Sequence, residues 1–212
     1  MTDYPIALAV EDFVPVALTA TGVLLLRRRH PLVPVAAGLL LAGGFAKAGW
    51  KLIVALDGPD LPWLYHALFP LLALGFSVLA YALSRDLRRP PHAAVLAVPL
   101  LAALAATAAV RDTWPAMVWT IIAVTFVAVL LVRAARKEGD TLAAVLFGLW
   151  LTGQYLLGPM AAKAEQSIAL QWVEQSCNTI AQGAFAFAAW RLARTGRASE
   201  PEKTKETGEK VT

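Results

Sequence analysis

Lys47 and Lys51 stand four apart in "GGFAKAGWKLIVAL", and Glu11 and Asp12 are adjacent in "ALAVEDFVPV". Both stretches are otherwise apolar. Further along, "QWVEQSCNTIAQ" sets Glu174 among Gln171, Gln175, Asn178 and Gln182. At helical spacing the four amides form one narrow stripe with Glu174 on its edge. Two ammonium groups, three carboxylates and a row of amides suit the binding of a small polar or anionic molecule. The lysines would hold an anionic group, and Glu174 with the amides would hold hydroxyl or amine groups. Gln154, Tyr155, Trp50 and His66 join the candidate site from neighbouring stretches, with Tyr65, Lys163 and Glu165 at its margin.

The elements that must position these residues are membrane-spanning helices. The chain has 212 residues, of which 58% are hydrophobic and only 16% charged, against about 25% charged in a soluble domain. Seven apolar stretches are long enough to span: about 6–26, 32–55, 62–83, 93–110, 115–133, 141–161 and 168–192. The expected fold is an all-α integral membrane protein with a seven-helix domain over 1–192. The polar tail 193–212 has mixed charge and no apolar face, and is expected to be disordered. The N-terminus lacks a basic region and a small-residue cleavage site, so its first apolar stretch is expected to stay as a helix.

Orientation follows from the basic residues near the helix ends. Arg27–Arg29, Arg85, Arg88, Arg89, Arg133, Arg136, Lys137 and the six from Arg191 onward fall on one side, 15 of the 19. Lys47, Lys51, Arg111 and Lys163 fall on the other. This places the N-terminus outside and the C-terminus in the cytoplasm of a multi-pass inner-membrane protein. The basic loops suit anionic lipid at the cytoplasmic face. They are flanking charges without interleaved aromatics, so nucleic acid is excluded as a partner.

Span lengths convert the charged residues into depths. From Phe13 to Leu26 the chain is too short to cross a core of roughly 30 Å, so Glu11 and Asp12 must lie within the first helix, about 8 Å below its outer end. The same count puts Lys47 about 10–12 Å deep, Lys51 one turn shallower, and Glu174 about 9 Å deep. An ionisable residue in a span costs about 2.5–3.5 kcal/mol, so it faces the bundle interior and finds a partner. Lys47 with Glu174, and Lys51 with Glu11 or Asp12, are the expected pairs. Gln182 reaches deepest and would mark the pocket floor. Gly38, Gly43, Gly44 and Gly49 would allow close helix approach.

The chain also matches itself at an offset of about 110 residues. Gly38, Leu39, Leu41 and Gly43 match Gly148, Leu149, Leu151 and Gly153, and Trp63, Phe76, Ala80, Leu83 and Arg85 match Trp172, Phe185, Ala189, Leu192 and Arg194. Three helices, a linker helix and three helices would then form a parallel repeat. In layout this resembles the SWEET-type sugar transporters and, more loosely, the microbial rhodopsins. The Pro-Gln pair of the PQ-loop relatives is absent, and no lysine lies between Ile168 and Leu192 to carry retinal. No residue role carries over from either family.

Other chemistries find little support. His30, His66 and His92 form no His-x3-His pair, and no zinc motif, phosphate loop or nucleophile elbow occurs, so neither a metal nor a cofactor is expected. Asp57 and Asp60 read as turn residues around Gly58–Pro59. The lone Cys177 allows no intramolecular disulfide. The leading expectation is an outward-facing polar pocket that transports or binds a small polar or anionic molecule. Two alternatives stay open: an enzyme acting on a lipid or lipid-linked substrate at the outer leaflet, and a structural subunit of a membrane complex. The sequence leaves the oligomeric state and any catalytic residue undetermined.

Overall fold

The computed structural model describes residues 5–161 and 167–198. Eight helices follow in order: α1 (Ile6–Glu11), α2 (Phe13–Leu25), α3 (Val33–Ala55), α4 (Pro62–Ser84), α5 (Ala94–Val110), α6 (Trp114–Lys137), α7 (Thr141–Ala161) and α8 (Ile168–Ala198). No strand occurs among the described residues. Four helical stretches are long and apolar enough to cross a membrane: Ile6–Leu25, Val33–Ala55, Pro62–Ser84 and Trp114–Lys137. Ala94–Val110 and Thr141–Leu157 are apolar but shorter. A bundle of this kind is compatible with a polytopic membrane protein.

Local sequence explains the boundaries. Pro34, Pro62 and Pro115 open α3, α4 and α6 in the first turn, where the missing N–H costs nothing. Within the first apolar stretch, Pro15 cannot donate to the carbonyl of Glu11, and the helix breaks at Asp12 into α1 and α2. The expected helix over 6–26 is therefore two pieces with its two carboxylates at the joint. Asp57 ends α3 in the left-handed conformation, at φ 56°, which Asp tolerates better than most residues. α8 runs to Ala198, beyond the expected end at 192. Leu192 is fully buried and the Thr195 hydroxyl donates to Glu138, so packing carries the helix past its apolar limit. The rest of the tail lies outside the described residues.

The helices close into a ring: α2 packs on α3, α3 on α4, α4 on α6, α6 on α7, α7 on α8, and α8 back on α2. α5 lies outside the ring against α4 and α6, and α1 packs on α3 and α8. Glycines set the closest seams. A Cβ on Gly44 would lie 2.5 Å from Val16, one on Gly75 2.7 Å from Leu40, and one on Gly153 2.7 Å from Ala181. Gly43 lies against Leu71 and the carbonyl of Leu68. Gly38 and Gly49 have nothing within 4 Å, so the close approach expected there is not made.

Phe76, Phe147, Trp150 and Phe185 fill the ring in one continuous aromatic cluster, with the Trp150 and Phe185 rings 4.6 Å apart. The arginine-rich end is tied by ion pairs. Arg29 bridges Asp86 and Glu138, and Arg191 holds Asp140 at 3.0 Å. Asp140 also accepts the backbone N–H of Ala143 at the start of α7.

Burial recurs along the chain. Ala73, Phe76, Leu79, Ala80 and Leu83 of α4 are buried, and so are Gln182, Phe185, Ala188, Ala189 and Leu192 of α8, each 109 positions later. Val33, Ala37 and Leu40 of α3 correspond likewise to Ala143, Phe147 and Trp150 of α7 at 110. Arg85 lies over the Tyr81 ring, and Arg194 over the Trp190 ring, in the corresponding turns.

Candidate functional site

Eighteen residues make five helical turns, so positions that far apart share a face. Val33 and Lys51 are such a pair on α3, Leu83 and Tyr65 on α4, and Ala189 and Gln171 on α8. Val33, Leu83 and Ala189 are buried in the core. Lys51, Tyr65 and Gln171 therefore point to the interior of the ring, at the end opposite the arginines. They are also more accessible than their deep counterparts. Tyr65 is 41% exposed against 5% for Leu83, and Gln171 is half-buried against a fully buried Ala189. The interior faces become polar and accessible together at the lysine end.

Three helices meet there. The Lys51 ammonium lies 2.6 Å from an oxygen of the Asp12 carboxylate, which is one of the two pairings expected for Lys51. Glu11, adjacent to Asp12 at the helix break, instead faces α8, where the Thr179 hydroxyl donates to its Oε1. Its second oxygen, Oε2, is buried and accepts no hydrogen bond. Lys47 lies one turn below Lys51 and is close enough to Lys51, Asp12 and Glu174 to feel their charges. Its ammonium sits over the Tyr65 ring, 5.8 Å from the centroid. None of the ion pairs among the described residues includes Lys47, so the expected pair with Glu174 is not made.

The amide stripe of α8 faces inward. Gln175 and Gln182 are buried, and Gln171, Glu174 and Asn178 are half-buried. Gln182 is held from both sides. Its Oε1 accepts from the indole N–H of Trp150 at 3.0 Å, and its Nε2 donates to Asn178 at 3.2 Å. It thus caps the aromatic cluster with a satisfied amide. Gln154 of α7 lies one turn beyond Trp150, and its Nε2 is buried with no acceptor.

Of the remaining candidates, Trp50 and His66 border the site through Tyr65 and Tyr155 faces α6. Tyr155 is 47% exposed and shares a 2.6 Å hydrogen bond with Thr125 of α6. The Trp50 indole donates to Asp60 at 2.8 Å and packs on Tyr65, which gives Asp60 a partner that its turn position did not suggest. His66 is exposed and meets the edge of Tyr65. Lys163 and Glu165 lie outside the described residues. Thr179 and Trp150 were missed. A tryptophan in an apolar span needs an acceptor for its N–H, and Gln182 at comparable depth was the available one. Thr179 carried no comparable signal. Among the described residues, no group of three or more His, Cys, Asp or Glu side chains is placed to hold a metal ion.

Compared with known proteins the chain finds no match: no family model, no curated protein and no solved structure corresponds to it.

Proposed function

We propose that this chain is a seven-span inner-membrane protein that binds, and by its architecture transports, a small polar or anionic solute. The solute enters a vestibule at the lysine end. α1 and α2 together form the first span, and α3 to α8 form the other six. The arginine-rich end faces the cytoplasm by the distribution of basic residues, so the vestibule opens outward.

The observation that carries the reading is Lys47. An ammonium on an inward face, unpaired among the described residues, is costly unless something occupies its surroundings. The accessible interior face of Tyr65 supplies an entrance, and the Trp150–Gln182 pair over the aromatic cluster supplies a floor. Transport is favoured over simple binding by the two related halves. α2 packs on α3 and α3 on α4, with α2 against α8, just as α6 packs on α7 and α7 on α8, with α6 against α4. Shared burial and the repeated arginine–aromatic contacts support the same pseudo-symmetry. A helix broken beside the site also suits transporters, in which irregular backbone lines the binding cavity.

The test is uptake by proteoliposomes from an isotope-labelled small-metabolite extract, read by mass spectrometry. Vesicles with the wild-type protein are expected to enrich at least one solute over empty vesicles, and Lys47→Met is expected to abolish the enrichment while remaining folded. Equal solute profiles in the three preparations would overturn the reading.

A further inference from the structure

Among the described residues two buried side-chain polar atoms have no hydrogen-bond partner, and they are of opposite kind. Glu11 Oε2 is a buried acceptor without a donor, and Gln154 Nε2 is a buried donor without an acceptor. Both flank α8. Glu11 reaches it through Thr179, and α7 meets it where Gly153 abuts Ala181, next to Gln154. Inside a bundle such groups cost free energy until a partner arrives. Lys47 adds a third vacancy, for a negative charge.

Charge narrows the occupant further. Among the described residues the cluster holds two ammonium groups, Lys47 and Lys51, against three carboxylates, Glu11, Asp12 and Glu174. A simple anion would enter a site that already carries excess negative charge. A molecule with both an anionic and a cationic group adds no net charge and can meet all three vacancies.

We propose that the ligand is a small zwitterion of the amino-acid kind. Its carboxylate is taken by Lys47 and Gln154, and its ammonium by Glu11 Oε2. Thr179 holds the other Glu11 oxygen and so aims Oε2. Asp12, already engaged by Lys51, leaves that role to Glu11. The inference rests on the binding reading above and narrows its ligand class.

The experiment uses matched probes on the full chain in lipid nanodiscs, with thermal unfolding as readout. Glycine, serine and glutamine serve as zwitterions, their N-acetyl derivatives as anions, and their amides as cations. The zwitterions are expected to raise the melting temperature of the wild type at millimolar concentration, with the N-acetyl and amide forms at least tenfold weaker. Glu11→Gln should weaken the zwitterions about ten- to hundredfold, the effect of losing a charged hydrogen bond, and should leave the N-acetyl forms within about twofold. N-acetyl forms that bind the wild type as well as the zwitterions would overturn the zwitterion assignment and leave anion binding standing. Stabilisation by none of the nine compounds would overturn both. The wild-type comparison alone decides the ligand class should Glu11→Gln fail to fold.

Discussion

Removing the charges of the Lys51–Asp12 pair one at a time is expected to cost more than removing both. The charged atoms are 2.6 Å apart, and the side chains are 17% and 9% exposed. At an effective dielectric of about 20, the gross attraction at that separation is about 6 kcal/mol. Desolvating the two ions costs several kcal/mol each, so the pair as a whole contributes little net stability. Deleting one partner leaves the other covered without its opposite charge, which costs up to about 3–5 kcal/mol. Asp12→Asn and Lys51→Met should each destabilise by about 3 kcal/mol, and the double variant by less than either. The measurement is reversible unfolding in mixed micelles, followed by tryptophan fluorescence, as a double-mutant cycle. The function separates as well. With Lys51 committed to Asp12, the double variant should keep the solute uptake that Lys47→Met loses. A double variant whose loss equals the sum of the singles would mean that the two charges do not interact, and would refute the reasoning.

Three further outcomes follow from particular contacts. Gln182→Leu removes the acceptor of the fully buried Trp150 indole and should cost about 1–3 kcal/mol; wild-type thermal stability in that variant would show the bond to be dispensable. Gly44→Val would drive a side chain into Val16, 2.5 Å from the added Cβ, at about 1–3 kcal/mol, whereas Gly38→Ala meets nothing within 4 Å and should be neutral or stabilising by up to about 1 kcal/mol. The backbone N–H of Ala143 and the guanidinium of Arg191 hold the Asp140 carboxyl below its usual range. A depressed acid stabilises the fold above its unfolded value, about 3.9, and that contribution is lost as pH falls through the lower folded value. Melting curves of wild type and Asp140→Asn should therefore differ at neutral pH and converge in acid below about pH 4; a gap that stays constant with pH would exclude the charge contribution.

The all-helical fold and the rough placement of its helices were legible because apolar run length is a local property, and turn residues mark its ends. Proline at the first turn follows from one missing N–H, and the same missing N–H at Pro15 breaks a helix that was expected to run whole. Level along the bundle was legible too. Counting residues from the helix ends brought Asp12 to the level of Lys51, and the two meet. Azimuth was harder. Tyr155 and Gln154 are neighbours in sequence, yet one is exposed beside Thr125 and the other has a buried amide nitrogen. A rotation of about 100° per residue separates them, and only the packing of α7 on α6 and α8 fixes which faces inward. Glu11 and Asp12 divide in the same way, one toward α8 and the other toward α3. Level alone narrowed the partner of Lys51 to two adjacent carboxylates and did not choose between them.

On the reading of the chain as two related halves, the polar residues separate scaffold from site. Where the halves face the same packing problem they solve it alike: Phe76 and Phe185, Ala80 and Ala189, and Leu83 and Leu192 are buried at matching positions. The polar groups of the lysine end do not follow that pattern. Gln182 stands where the first half has Ala73, Glu174 stands where it has Tyr65, and Lys47 stands where the second half has Leu157. Each half thus supplies different chemistry to one end of a shared interior, the ammonium groups from α3 and the amides from α8. On the proposed function this makes a single asymmetric site at the seam, one that would distinguish the two ends of a dipolar ligand as a pair of equivalent sites would not.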